Sequence, residues 1–225
     1  MKLELQRTVL DEVAENGYAQ LSSIGVDEVT VAAWLSDFAR TLGVPRAARL
    51  SARAPIEELV PTSTNSARPN SLSARYGLGA FPFHVDTAHW PVPGRFTIMG
   101  CANAGGGERE TLLLRVSQLH FSKEERELLS RAVFVVQNGR NSFYASILDG
   151  HRSFVRFDEA CMRVCGRESS KALALFREKV AGATPVRISW ETGGALVLDN
   201  WKMLHARSPA RTEDALRKLL RVIVS

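Results

Sequence analysis

FPFHVDTAHW, residues 81–90, is an apolar run that holds an imidazole and a carboxylate two positions apart. Read as a strand, it projects His84 and Asp86 from one face while Phe83 and Val85 point the other way. Polar groups inside a core are costly unless paired, and a divalent cation would pair with both. A His-x-Asp pair also occurs as a plain surface hydrogen bond, so these ten residues leave two readings open.

A distant stretch bears on the choice. In GGALVLDNWKMLHARSPAR, residues 193–211, a strand at Ala195–Leu198 and a turn at Asp199 and Asn200 lead to His205. A neighbouring strand would present His205 as a third ligand. Two histidines and one carboxylate on one side of a metal form the facial triad of non-haem Fe(II) oxygenases, with positions left open for oxygen and a chelating co-substrate. Zinc accepts the same ligands. What separates the two is a co-substrate site, and LRKLLRVIVS, residues 216–225, bears on it. Alternation places Arg217, Leu219, Arg221 and Ile223 on one face of a terminal strand. An inward guanidinium needs an anion, and its planar fork matches a carboxylate in a bidentate pair. An edge strand with solvated arginines would show the same pattern.

Length and composition frame these motifs. A chain of 225 residues, 45% hydrophobic, is large enough to bury the core of one enzyme-sized domain. The opening MKLELQRTVLDE is charged where a signal peptide is apolar, and no run reaches the roughly 18 residues of a membrane span. A soluble, cytoplasmic protein is expected, with Cys101, Cys161 and Cys165 as reduced thiols. The net charge is +5, but 29 basic residues are interspersed with 24 acidic ones. With no Lys/Arg-rich run, neither nucleic acid nor a membrane is an expected partner; the surplus arginines fit an acidic small molecule.

Helical spacing runs from Leu3 to about Leu42, through Val9, Leu10, Val13, Val31, Trp34, Leu35, Phe38 and Leu42. From Ile56 to about Leu114 short apolar runs, among them SLSARYGLGAFPF, alternate with turn-rich pieces and read as strands. Ser122 and Glu125 form a capping box that opens a helix to about Ala132. Strands are predicted near 143–148, 153–157, 186–190, 195–198 and 216–224, and a second helix over 169–180. The expected fold is mainly β with flanking helices. It is a single domain over 1–225, with a helical part at 1–50 and a jelly-roll barrel with helical insertions over 56–225.

In order and spacing, FPFHVDTAHW, GGERETLLL, VLDNWKMLHARSP and LRKLLR resemble the Fe(II)/2-oxoglutarate-dependent dioxygenases of the taurine dioxygenase and clavaminate synthase-like type. The resemblance runs from about Arg75 onward. It implies a double-stranded β-helix, Fe(II) held by His84, Asp86 and His205, and 2-oxoglutarate held by Thr111 and Arg217, with Arg221 as a second basic contact. Thr111 follows His84 by 27 positions and Arg217 follows His205 by 12. GGGERETLLL departs from the family pattern, with three glycines and additional charges before the threonine. The chain ends near its last predicted strand, which implies a reduced lid and an open site.

The implied activity is O2-dependent oxidation, by hydroxylation, of a C–H bond in a small amino-acid-like or anionic metabolite, with release of succinate and CO2. Halogenating relatives carry a small residue where Asp86 stands, so the carboxylate points to hydroxylation, desaturation or ring closure. For substrate contacts the sequence offers Arg75, Trp90, Arg156 and Asp158. Against these, Trp90 fits packing equally well and Arg156 with Asp158 fits a structural ion pair. His120 and His151 receive no role. Two other functions share the triad, nucleic-acid base demethylation and a non-redox, cupin-like metal-binding module. Neither the substrate's identity nor the oligomeric state follows from the sequence.

Overall fold

The structure, a computed structural model, describes residues 3–48, 54–69, 71–106, 109–150 and 153–225. Two antiparallel sheets organise the described chain. In the larger, the strands run in the order Tyr18–Leu21, Ala195–Asp199, Phe96–Asn103, Lys218–Val224 and Pro45–Arg46, and Glu57–Leu59 also pairs with Lys218–Val224. The smaller has the order Val186–Ile188, Thr111–Arg115, Met203–Arg207, Phe81–His84. Neighbours in each sheet are drawn from remote parts of the chain, so the His84 and His205 segments meet only when Phe81–His84 and Met203–Arg207 pair in the smaller sheet.

Period-two alternation sorts each strand into an inner and an outer face. Met99, Leu196 and Leu198 of the larger sheet pack against Leu113, Ile188 and Met203 of the smaller, which fills the space between the sheets. The outer face of the larger sheet (Ile98, Val197, Leu220, Val222, Val224) is covered by Val9 and Val13 of helix Leu3–Asn16 and by Val31, Leu35 and Phe38 of helix Glu28–Leu42. The second of these helices starts where Asp27 accepts the Thr30 N–H at 2.8 Å and the Thr30 hydroxyl answers the Asp27 N–H. Gly100 lets it lie close: a Cβ there would stand 2.6 Å from Val31 Cγ1. Helices Lys123–Arg131 and Arg167–Ala181, with the small sheet Met162–Val164, Phe134–Asn138, Asn141–Ala145, cover the outer face of the smaller sheet through Leu114 and Leu204.

The predicted helices at 122–132 and 169–180 are present, the first capped by Ser122 and Glu125. Two expectations are corrected. The helical stretch from Leu3 to Leu42 is broken at Gly17 (φ 87°), after which Tyr18–Leu21 forms the strand that pairs with Ala195–Asp199. In SLSARYGLGAFPF, the Ser71 side chain accepts from the Ala74 N–H and caps a short helix, Leu72–Tyr76, so only Phe81–His84 is a strand. No helix among the described residues is long and apolar enough to cross a membrane.

Candidate metal centre

His84 and His205 are register partners on adjacent strands of the smaller sheet, so both imidazoles leave the same inner face. Their ring centroids are 4.3 Å apart. Asp86 follows two residues after His84, where the strand has ended and the chain turns through Thr87 at φ 57°. Ligand atoms of His84, Asp86 and His205 all lie within 4.8 Å of one another, and all three residues are buried.

Each group is held in a form that can donate to a metal. His84 Nδ1 lies 2.9 Å from the Pro82 carbonyl oxygen. A carbonyl only accepts, so Nδ1 carries the proton and the Nε2 lone pair is free. His205 Nε2 stands 3.7 Å from Asp86 Oδ2, while its Nδ1 is buried without a hydrogen-bond partner. Burial, and then the neighbouring His84, push the His205 imidazole down to about 3 against the smaller pull of Asp86. It is therefore neutral at neutral pH, as a ligand must be, and its contact with Asp86 is not an ion pair.

Burial alone would raise the Asp86 carboxyl. Arg221, the two histidines and the Thr97 hydroxyl outweigh it and hold the group below its ordinary value, as an anion. Asp86 is also fixed from behind. Asn200 accepts the Asp86 N–H at 2.9 Å and donates to the Asp86 and Gly94 carbonyls at 3.0 and 2.8 Å. Thr97 Oγ1 donates to Oδ2 at 3.1 Å, and Arg221 Nη1 to Oδ1 at 2.5 Å. Arg221 reaches across from the inner face of the larger sheet, and its Nη2 meets Glu57 Oε2 at 3.0 Å. These residues fit a divalent cation: two imidazoles and one clamped carboxylate converge on a buried point.

The inner face continues away from this point towards a second polar group. Thr111, paired in register with Arg207, is buried, and its hydroxyl accepts the Trp190 indole N–H at 2.9 Å. Arg217 is 4% exposed, and neither its Nε nor its Nη2 has a partner. The sequence places Arg217 and Arg221 on one face of a terminal strand; that strand begins at Lys218, so Arg217 precedes it. Arg217 is buried and Arg221 partly buried, but Arg221 is engaged by two carboxylates and Arg217 is not.

The candidate substrate residues lie elsewhere around the site. Arg75 is exposed and donates to the Glu159 carbonyl. Trp90 is buried with Ala48 and Ile223. Arg156 is buried and donates to the Ala88, Trp90 and Pro91 carbonyls, which ties down the loop that follows Asp86. Asp158 accepts the Ala160 N–H, and it is the main neighbouring charge that favours the cationic form of His89. His120 is exposed at a left-handed turn, and His151 lies outside the described residues. Glu57, Arg109 and Arg207 were not singled out in the sequence, and Asn200 was noted only as part of the turn before His205. For Asn200 a signal existed, since a side-chain amide in a tight Asp-Asn turn is a ready clamp for a neighbouring backbone.

The protein is thus a mainly β, two-sheet fold with a buried His-x-Asp…His group able to hold a divalent cation. Residues 114–223, just under half of the chain, match the model of the Taurine catabolism dioxygenase TauD, TfdA family. The matched segment contains His205, Arg217 and Arg221, while His84, Asp86 and Thr111 precede it.

Solved structures agree on the fold. An asparagine oxygenase in complex with Fe(II), 2S,3S-3-hydroxyasparagine and succinate superposes with a TM-score of 0.79 at 18% identity, covering 99% of this chain and 79% of that one. The non-haem iron oxygenase OrfP with Fe and alpha-ketoglutaric acid gives 0.75 at 17% identity, covering 100% and 81%. OrfP with Fe, succinate and (3S)-hydroxy-L-Arg gives 0.74 at 18%, covering 100% and 80%. Among curated protein sequences none matches significantly.

Proposed function

We propose that the chain is an Fe(II)/2-oxoglutarate-dependent oxygenase that hydroxylates a C–H bond of a small amino-acid-like substrate. One observation carries the reading, the convergence of His84, Asp86 and His205 within 4.8 Å on buried inner faces. The overall reaction takes up O2 and 2-oxoglutarate and yields the hydroxylated substrate, succinate and CO2. Iron, when bound with the keto acid, supplies the oxygen activation. The finer fold reading is that the two facing sheets form a double-stranded β-helix within one domain, with the N-terminal helices as its cover.

In this reading the protein's own residues bind, orient and exclude water. His84, Asp86 and His205 hold the metal, and Arg217 with Thr111 takes the distal carboxylate of the keto acid. Arg217 supports this role by presenting unpartnered guanidinium nitrogens in the interior. Arg221 orients Asp86 and stays beside the metal as a second basic contact. Arg156 sets the loop from Ala88 to Pro91, which carries Trp90 along the site, and Asp158 is the acidic group suited to a substrate ammonium. The amino-acid-like substrate class is supported by the hydroxylated asparagine and arginine bound to the asparagine oxygenase and OrfP.

The test is succinate release under air from Fe(II)-loaded protein, measured against a panel of amino acids and related acids. Stimulation by one member, with a hydroxylated product in equal amount, supports the proposal. A chain that turns over no 2-oxoglutarate with or without any of them contradicts it.

A further inference from the structure

One group of charges is larger than the proposed function needs. Arg217 shares its inner corner with the guanidiniums of Arg109 and Arg207 and with a single carboxylate, Asp214. Arg109 is 3% exposed, Arg217 4%, and Asp214 is fully buried. Burial, then the charge of Arg217, brings Arg109 down to about 10; burial, then Arg109 and Arg217, brings Arg207 down to about 9. All three remain cationic at neutral pH.

Their hydrogen bonds differ. Arg207 is committed, with Nη2 donating to the Gly77 and Gly79 carbonyls and its guanidinium lying over the Phe81 ring. Arg109 donates only through Nε, to the Ser208 carbonyl at 3.3 Å, and its Nη2 is buried without a partner. Asp214 spends Oδ2 on the Arg211 N–H at 2.8 Å. Among the described residues, three buried or half-buried cations therefore face one carboxylate. A single added carboxylate held by Arg217 alone would leave the Arg109 terminus buried and unsatisfied, which is costly for a charged group.

The corner also lies at the right place. Arg207 follows His205 by one same-face step of its strand, ~6.6 Å at 3.3 Å per residue, and Thr111 is the register partner of Arg207. An anion seated there hangs from the same inner face as the metal group, a few carbon atoms away.

We propose that Arg109 is a second guanidinium for the distal carboxylate of the keto acid, so that Arg109 and Arg217 hold it between them. This rests on the Fe(II)/2-oxoglutarate reading and deepens it. It makes the distal carboxylate a main source of keto-acid affinity, because a 2-oxo monoacid would leave two buried guanidiniums without an anion. It also assigns a function to the departure in GGGERETLLL, where the additional charges before Thr111 include Arg109.

The experiment is an anaerobic titration of Fe(II)-loaded protein, following the visible charge-transfer band. One ligand is 2-oxoglutarate, and the other is 2-oxopentanoate, which has the same carbon chain without the distal carboxylate. Arg109→Met is expected to weaken 2-oxoglutarate by about 10- to 100-fold and to leave 2-oxopentanoate unchanged. Arg109→Lys, which keeps the charge but loses the fork, should fall between. Equal losses for both acids, or none for either, would overturn the proposal. So would failure of both variants to fold, since Arg109 would then be a structural residue. Absence of the band in the unmutated protein would instead sink the proposed function itself.

Discussion

Replacing Arg221 by Met separates the two partners that Asp86 would have, the guanidinium and the metal. In the structure Arg221 bridges Asp86 Oδ1 at 2.5 Å and Glu57 Oε2 at 3.0 Å, with side-chain exposures of 16% for Arg221, 5% for Asp86 and 13% for Glu57. Removing one partner of such a buried pair costs ~3–5 kcal/mol, because the carboxylates are left without their cation. Glu57 retains the Ala48 N–H at 3.0 Å, so the lower half of that range applies. For a chain of 225 residues, ~3–4 kcal/mol corresponds to roughly 6–16 °C in Tm. A divalent ion at His84, Asp86 and His205 would return a cation to Asp86. Saturating Zn(II), which accepts these ligands, should therefore raise the Tm of Arg221→Met more than that of the unmutated protein. The assay is thermal unfolding of both proteins with chelator and with Zn(II). If the gap between them is the same in both conditions, Asp86 is not shared between Arg221 and a metal, and the electrostatic account of the centre is refuted.

Other outcomes follow from neighbouring residues. Asn200→Ala removes the clamp on the Asp86 backbone and should cost ~1–3 kcal/mol in urea unfolding and about 10- to 100-fold in metal affinity; unchanged affinity would show that Asp86 is positioned without it. His205 sits near 3 in the fold and at 6.5 when exposed, so the unfolded chain takes up a proton that the metal-free folded chain refuses. Stability should accordingly fall as pH drops from 6.5 towards 3, by up to about 1.4 kcal/mol per unit, and the loss from Asp86 adds below 3.8. His205→Leu should flatten the profile in that window, and an unflattened profile would remove His205 as its cause. Gly100→Ala drives a methyl against Val31 and should destabilise the packing of helix Glu28–Leu42 by ~1–3 kcal/mol; a neutral result would mean that the helix shifts freely on the sheet.

Some of this was legible in the sequence because it is local. Short spacing brings out His84 with Asp86 and Arg217 with Arg221 as pairs, although Asp86 and Arg217 lie just outside the strands Phe81–His84 and Lys218–Val224, and the Ser122–Glu125 box marks a helix start. What was not legible depends on remote partners. Nothing in residues 56–59 announces that Glu57 will meet Arg221, 164 positions away. Arg109 and Arg207 look like ordinary surface charges until the strands at Thr111 and Met203 pair and turn them to the Arg217 corner. Tyr18–Leu21 is a strand only because Ala195–Asp199 offers it an edge, and before that pairing Tyr18 and Leu21 fit the helical pattern that surrounds them. The short helix at Leu72–Tyr76 was lost for a different reason: its Ser71 cap lies in a run whose apolar residues also fit a strand.

The most direct test of the central claim is anaerobic titration of the chain with Fe(II), reading bound iron per chain, followed by addition of 2-oxoglutarate. The account predicts a single iron per chain, a new weak visible band on adding the keto acid, and loss of both in folded His84→Ala and His205→Ala. Iron binding that survives in both variants, or a keto acid that leaves the spectrum of the iron-loaded protein unchanged, would contradict it.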